Sequence, residues 1–149
     1  MSCYFLDTGA LAKLYVREAG TDELLKLVSR PEKPSFFILS LSRVELRAAV
    51  QRRVRERELS AENARSVITT FKEHLGSVYI VQPITEALLE KAEALIERHG
   101  LRTYDSIQLA ACLTLPMTES EGRATFVCAD QELLAAAEAE DWPVLNPAE

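Results

Sequence analysis

Asp7 follows a short apolar run at 3–6, and Asp130 follows another at 124–128. In open α/β sheets, ligands sit beyond the carboxyl ends of the strands. An acid at such a point is equally suited to cap the helix that comes next. Two further acids are harder to place in solvent. Glu45 shares helical spacing with Leu41, Ala48 and Ala49, while Arg43 and Arg47 fall on another face. Asp105 opens a stretch whose remainder, 107–115, is almost wholly apolar, with Leu109 and Cys112 at i+4 and i+7. Glu45 and Asp105 are therefore expected to face inward. A buried carboxylate without a partner is unfavourable, and either takes a proton or finds a cation. One solution is a buried salt bridge to Arg102 or Lys13. The other is convergence of all four acids on a shared ion. A set of carboxylate oxygens suits a hard divalent cation, Mg2+ or Mn2+.

Other chemistries have little to work with. The two histidines, His74 and His99, fall near the ends of helical segments, where a cation complements the helix dipole. Cys3, Cys112 and Cys128 lie in apolar surroundings with no CxxC spacing, which predicts three reduced, buried thiols and a cytoplasmic setting. Zinc sites and Ser-His-Asp or Cys-His catalysis are thereby disfavoured. No stretch approaches the roughly 20 apolar residues of a membrane span, and no basic leader is expected at the N-terminus. The formal net charge is −6. Any nucleic-acid contact must be local or carried by bound cations, because a globally attractive surface would be basic.

The elements that must position these acids alternate. Apolar strand-like runs at 3–6, 35–39, 78–81, 124–128 and 143–145 are separated by helical patterns at 10–16, 22–28, 41–58, 60–74, 84–98, 103–115 and 131–138. Ser40 or Ser42 is expected to cap the helix carrying Glu45, Thr103 the one carrying Asp105, and Gly100 to end the helix before it. Continuous apolar strands between helices imply a parallel sheet covered on both faces, in one domain spanning 1–149.

The same acids carry a family likeness. YFLDTGALAKLY, SLSRVELRAAV, LRTYDSIQLAA and TFVCADQELLAAA resemble, in order, the four acidic motifs of PIN-domain proteins, with Asp7, Glu45, Asp105 and Asp130 as their acids. In length and style the chain is most similar to the VapC-type toxins of toxin–antitoxin pairs. The resemblance implies a three-layer α/β/α domain with a parallel sheet in the order 3-2-1-4-5. It also implies Mg2+- or Mn2+-dependent cleavage of RNA. By position, Asp7 and Asp105 would be the principal metal ligands, with Glu45 and Asp130 completing the site partly through water. An antitoxin protein and a homodimer are implied as partners. One departure is Gly9, which stands where the family often has a serine or threonine and leaves Thr8 as the nearby hydroxyl.

Thr8, Ser106, Arg43 and Arg47 are further candidates for substrate or hydroxyl contacts. Arg43 and Arg47 belong to a run that continues with Arg52, Arg53, Arg55 and Arg57. Such a run suits RNA, a protein partner or plain solvent. The helices within 10–28 are expected to leave a groove for a partner helix. An aspartyl phosphatase of the haloacid-dehalogenase type would need a second Asp where Gly9 stands. A receiver domain would need a lysine at a late strand end, near Cys128 or Leu145. A PIN-fold module that binds RNA or protein without cutting is the main alternative to a nuclease.

Overall fold

The computed structural model describes residues 2–149. Five strands form one parallel sheet: β1 (Cys3–Leu6), β2 (Ser35–Leu39), β3 (Tyr79–Gln82), β4 (Thr125–Val127) and β5 (Val144–Leu145), in the order β3-β2-β1-β4-β5. Between them lie α1 (Thr8–Lys13), α2 (Thr21–Val28), α3 (Ser42–Arg55), α4 (Ala61–Leu75), α5 (Glu86–His99), α6 (Thr103–Leu113) and α7 (Gln131–Ala139).

The apolar strands make this arrangement because successive side chains point to opposite faces. Leu6, Phe36, Ile38 and Val127 join a core with Leu11, Leu24, Leu46 and Phe71, from α1 to α4. Phe5, Phe37, Leu39 and Phe126 join a second core with Leu95, Leu109 and Leu133, from α5 to α7. Two cores on two faces are what a three-layer fold requires, and they explain why the strands show no polar alternation.

Several helix boundaries differ from the sequence expectation. α3 begins with Leu41 at its N-cap and no side-chain cap bond; Ser42 is instead fully buried inside the first turn. α6 is preceded by Arg102 as N-cap, with Thr103 its first residue. Gly100 does end α5, at φ 65°. Gly20, at φ 96°, starts α2 with its Cα against the Pro147 backbone; an added Cβ would lie 3.0 Å from the Pro147 carbonyl carbon. Among the described residues no helix is long and apolar enough to cross a membrane.

Candidate active site

The chain leaves β1 to build β2 and β3 on one side, then returns to place β4 on the other side of β1. The carboxyl ends of β1 and β4 therefore flank the point where strand order reverses, the usual ligand crevice of such sheets. Asp7 follows β1, with its N–H donating to the Val127 carbonyl at 3.2 Å, and Asp130 lies just beyond β4.

All four acids sit at helix N-termini. Asp7 is the N-cap of α1 and Asp130 that of α7, while Glu45 and Asp105 occupy the first turns of α3 and α6. Helix dipoles favour negative charge at these positions and offset part of the repulsion among the carboxylates. Capping and a site role prove compatible. Asp7 Oδ1 accepts from the Ala10 N–H at 2.7 Å, and Asp130 Oδ1 accepts from the Leu133 N–H at 3.0 Å. Asp130 keeps Oδ2 for a cation, 3.6 Å from Arg102 Nη2.

The acids are tied together in two ways, by charge and by hydrogen bonds. Asp7, Asp105 and Asp130 interact electrostatically. Asp7 is 9% exposed, and burial pushes its carboxyl up to about 6. The Ala10 amide and the Cys128 thiol pull it down, and the neighbouring charges of Asp105 and Asp130 add to the rise. Asp105 and Asp130 are more open, with side chains 28% and 39% exposed. Arg102 bridges them, its Nε and Nη2 each 3.0 Å from Asp105 Oδ2. The salt bridge to Arg102 foreseen for Asp105 is thus present, but at the surface. Lys13, the other foreseen partner, pairs with Glu18 at 3.2 Å.

Glu45 is joined to Thr8, the residue after Asp7, by hydrogen bonds. Thr8 Oγ1 donates to Glu45 Oε1 at 2.8 Å and lies 2.9 Å from Ser42 Oγ. Gln108 Nε2 approaches Glu45 Oε1 at 2.8 Å and both hydroxyls at 3.0 Å. Gln108 is 3% exposed, and its Oε1 is buried with no hydrogen-bond partner among the described residues. Glu45 itself is half-buried and flanks the buried stripe of Ser42, Leu46 and Val50. The stripe inferred from Leu41, Ala48 and Ala49 was turned by about one residue, since Ala48 is exposed.

Sequence reasoning overlooked Gln108, Ser42 and Cys128 as site neighbours. Gln108 had one signal: an amide amid the apolar run of α6, three residues from Asp105. Cys128 sits at the carboxyl end of the β4 run, two residues before Asp130. Ser106 is fully buried and its Oγ donates to the Thr103 carbonyl at 2.7 Å, so its proton is committed to its own helix. Arg43 and Arg47 are exposed on α3. They line a cleft of about 320 Å³ with Ile68, Phe71 and Leu75. Arg47 also borders a neighbouring cleft of about 330 Å³ between α3 and α4. Beside α2 there is a smaller cleft of about 100 Å³. The groove expected within 10–28 corresponds at most to this small cleft, since Leu11, Leu24 and Leu27 are turned into the core; roomier clefts lie on α3 and α4 and, at about 390 Å³, between the end of α5 and α7 beside His99, Leu101 and Ala135. Arg53 is held by Glu18 and Glu58. Both histidines do lie in last helical turns, and each also bonds a distant side chain: His74 with Tyr15, His99 with Glu140. Cys112 and Cys128 are buried free thiols, whereas Cys3 is only partly buried.

Among the described residues no group of three or more His, Cys, Asp or Glu side chains forms a ready-made metal cage. The donor chemistry still fits a hard cation. Asp7, Asp105 and Asp130 offer only oxygen and share one electrostatic neighbourhood, and Mg2+ commonly takes one or two carboxylates and completes its shell with water.

Comparison with known proteins agrees with this fold. A search of curated protein sequences gave no match. Similar folds occur in a toxin–antitoxin complex from Klebsiella pneumoniae (TM-score 0.66, 17% identity, 98% of each chain covered). FitAcB from Neisseria gonorrhoeae is similar too (TM-score 0.63, 17% identity, 97% of each chain). So is VapBC2 from Rickettsia felis, solved with a DNA fragment from its promoter (TM-score 0.64, 16% identity, 97% of this chain and 98% of that one). The PIN domain family model matches residues 4–140, which takes in all four acids, β1 from Tyr4 onward and the whole of β2, β3 and β4, and the chain belongs to that family.

Proposed function

We propose that residues 1–149 act as one PIN-type unit, a divalent-metal-dependent endoribonuclease that serves as the toxin of a type II toxin–antitoxin pair. The observation that carries this reading is Asp7: a buried carboxyl pushed up to about 6, at the β1/β4 crevice, with Asp105 and Asp130 as neighbouring charges. Such a carboxylate is held ionised at neutral pH only against its surroundings, and an adjacent cation would relieve it. Asp7 and Asp105 are the residues assigned to hold Mg2+ or Mn2+, with Asp130 beside them. When bound, such an ion neutralises phosphate charge and makes water more acidic. Asp7 is fixed by the Ala10 amide, so its second oxygen keeps a constant direction. Glu45, oriented by Thr8 and Gln108, is assigned to accept a proton from, or orient, the attacking water. The water attacks phosphorus and the 3′ oxygen leaves, giving 5′-phosphate ends.

The toxin–antitoxin neighbours support a small antitoxin protein as inhibitor; a homodimer as the working form is what the family resemblance implies. The chain is read as cytoplasmic. Incubating the purified protein with total RNA and millimolar Mg2+ or Mn2+, then mapping the ends, tests the reaction. Metal-dependent 5′-phosphate ends are expected; 2′,3′-cyclic ends would contradict water attack.

A second reading, a PIN-fold module that binds RNA or protein without cutting, draws on one observation: Arg102 already pairs with both Asp105 and Asp130. It predicts that Mn2+ neither raises the melting temperature nor supports cleavage of any RNA.

A further inference from the structure

Arg102 carries no evident structural duty. It stands at the N-cap of α6 with extended backbone and makes no side-chain cap bond. Its side chain is 77% exposed, yet its guanidinium lies against Asp105 and Asp130. Among the described residues it is the basic side chain in ion-pair contact with the acids of the crevice. An ion pair at this exposure is weak and exchanges readily. It engages the carboxylates that the proposed reaction would give to a divalent cation, so the two positive charges compete for them. Once freed, the guanidinium remains tethered three residues before Asp105, at the open rim of the crevice. A planar guanidinium matches two phosphate oxygens in a way that a point charge does not. A chain of net charge −6 also needs a local cation where a phosphodiester must approach a cluster of acids.

We propose that Arg102 is a two-position residue: counter-ion to Asp105 and Asp130 in the metal-free protein, and ligand of the RNA backbone phosphate once those carboxylates turn to a divalent ion. This rests on the nuclease reading of the site, and two titrations separate it from that reading. In the first, Mn2+ alone is titrated into the intact protein and into Arg102→Ala by calorimetry, with no RNA present. Loss of the competing guanidinium is expected to tighten Mn2+ binding about two- to fivefold. In the second, a short fluorescein-labelled single-stranded RNA of mixed sequence is bound in calcium and followed by anisotropy. Arg102→Ala is expected to weaken it about tenfold, and Arg102→Lys to recover part of the loss.

Mn2+ affinity that is unchanged or weaker in Arg102→Ala overturns the competition. Unchanged RNA affinity overturns the phosphate contact. If Mn2+ binds both proteins equally, the Arg102 assignment alone fails. If it binds neither, the metal-dependent reading fails and takes this inference with it.

Discussion

Asp7 concentrates the conflict on which the proposed chemistry depends. Burial raises its carboxyl from 3.8 to about 6, so the folded protein binds a proton there that the unfolded chain releases. The stability this gives is fully present below about pH 4 and is lost as pH rises through about 6. Asp7→Asn keeps a side-chain acceptor for the Ala10 amide and removes the charge. Without metal it should be more stable than the parent by up to about 3 kcal/mol at pH 7. Urea unfolding at several pH values checks this, with the difference closing near pH 4. The same variant should lose RNA cleavage. Asp105→Asn should also be inactive, without the same gain, because it gives up the Arg102 pair. Gln108 makes a contrasting case. Gln108→Leu leaves Glu45, Thr8 and Ser42 without the amide that joins them, and should cost about 2 kcal/mol in urea unfolding.

Among the elements, the helix N-termini do most to assemble the site: the carboxyl ends of β1, β2 and β4 lead into helices that begin beside Asp7, Glu45 and Asp130, and α6, which follows α5, begins beside Asp105. Two glycines near these starts are expected to respond in opposite ways. Gly9 lies inside α1, and an added Cβ there would meet the Asp7 carboxylate oxygens at ordinary contact distances of 3.6 and 3.8 Å. Gly9→Ala should therefore stabilise the protein by about 0.5 kcal/mol through lower chain entropy. Gly20 has φ 96° and a Cβ there would press on Pro147 backbone. Gly20→Ala should cost about 2 kcal/mol and loosen the C-terminal segment. Thermal melts of the two variants compare them directly. A Cβ at Gly9 is thus accommodated beside Asp7.

For the molecule as a whole, the sheet carries two cores and one crevice, and the crevice is where positive charge is scarce. Millimolar Mn2+ should raise the melting temperature, because an ion that binds the folded form alone stabilises it by mass action, about 2.7 kcal/mol at 100 times its dissociation constant. The rise should vanish in Asp7→Asn. A rise of equal size in that variant would place the ion elsewhere. RNA binding should fall steeply with salt if phosphate contacts dominate it.

The local pattern of the chain determined a great deal. Apolar strands without alternation required a doubly covered parallel sheet, and acids at strand ends and in first turns marked one edge of it. The strand order came from the family resemblance, and the structure has the same order. What the sequence could not supply was the choice of partners, because that depends on side chains brought together across long separations. Thr8 and Gln108 are 100 residues apart yet share a hydrogen bond. A rotation of α3 by about one residue decided that Glu45 flanks the buried stripe rather than interrupting it. The partners of the four expected acids emerged for the same reason: Asp105 and Asp130 act electrostatically on Asp7, while Glu45 is held by Thr8 and Gln108. Helical periodicity identifies a face, whereas the packing of α3 and α6 against α1 decides what that face meets.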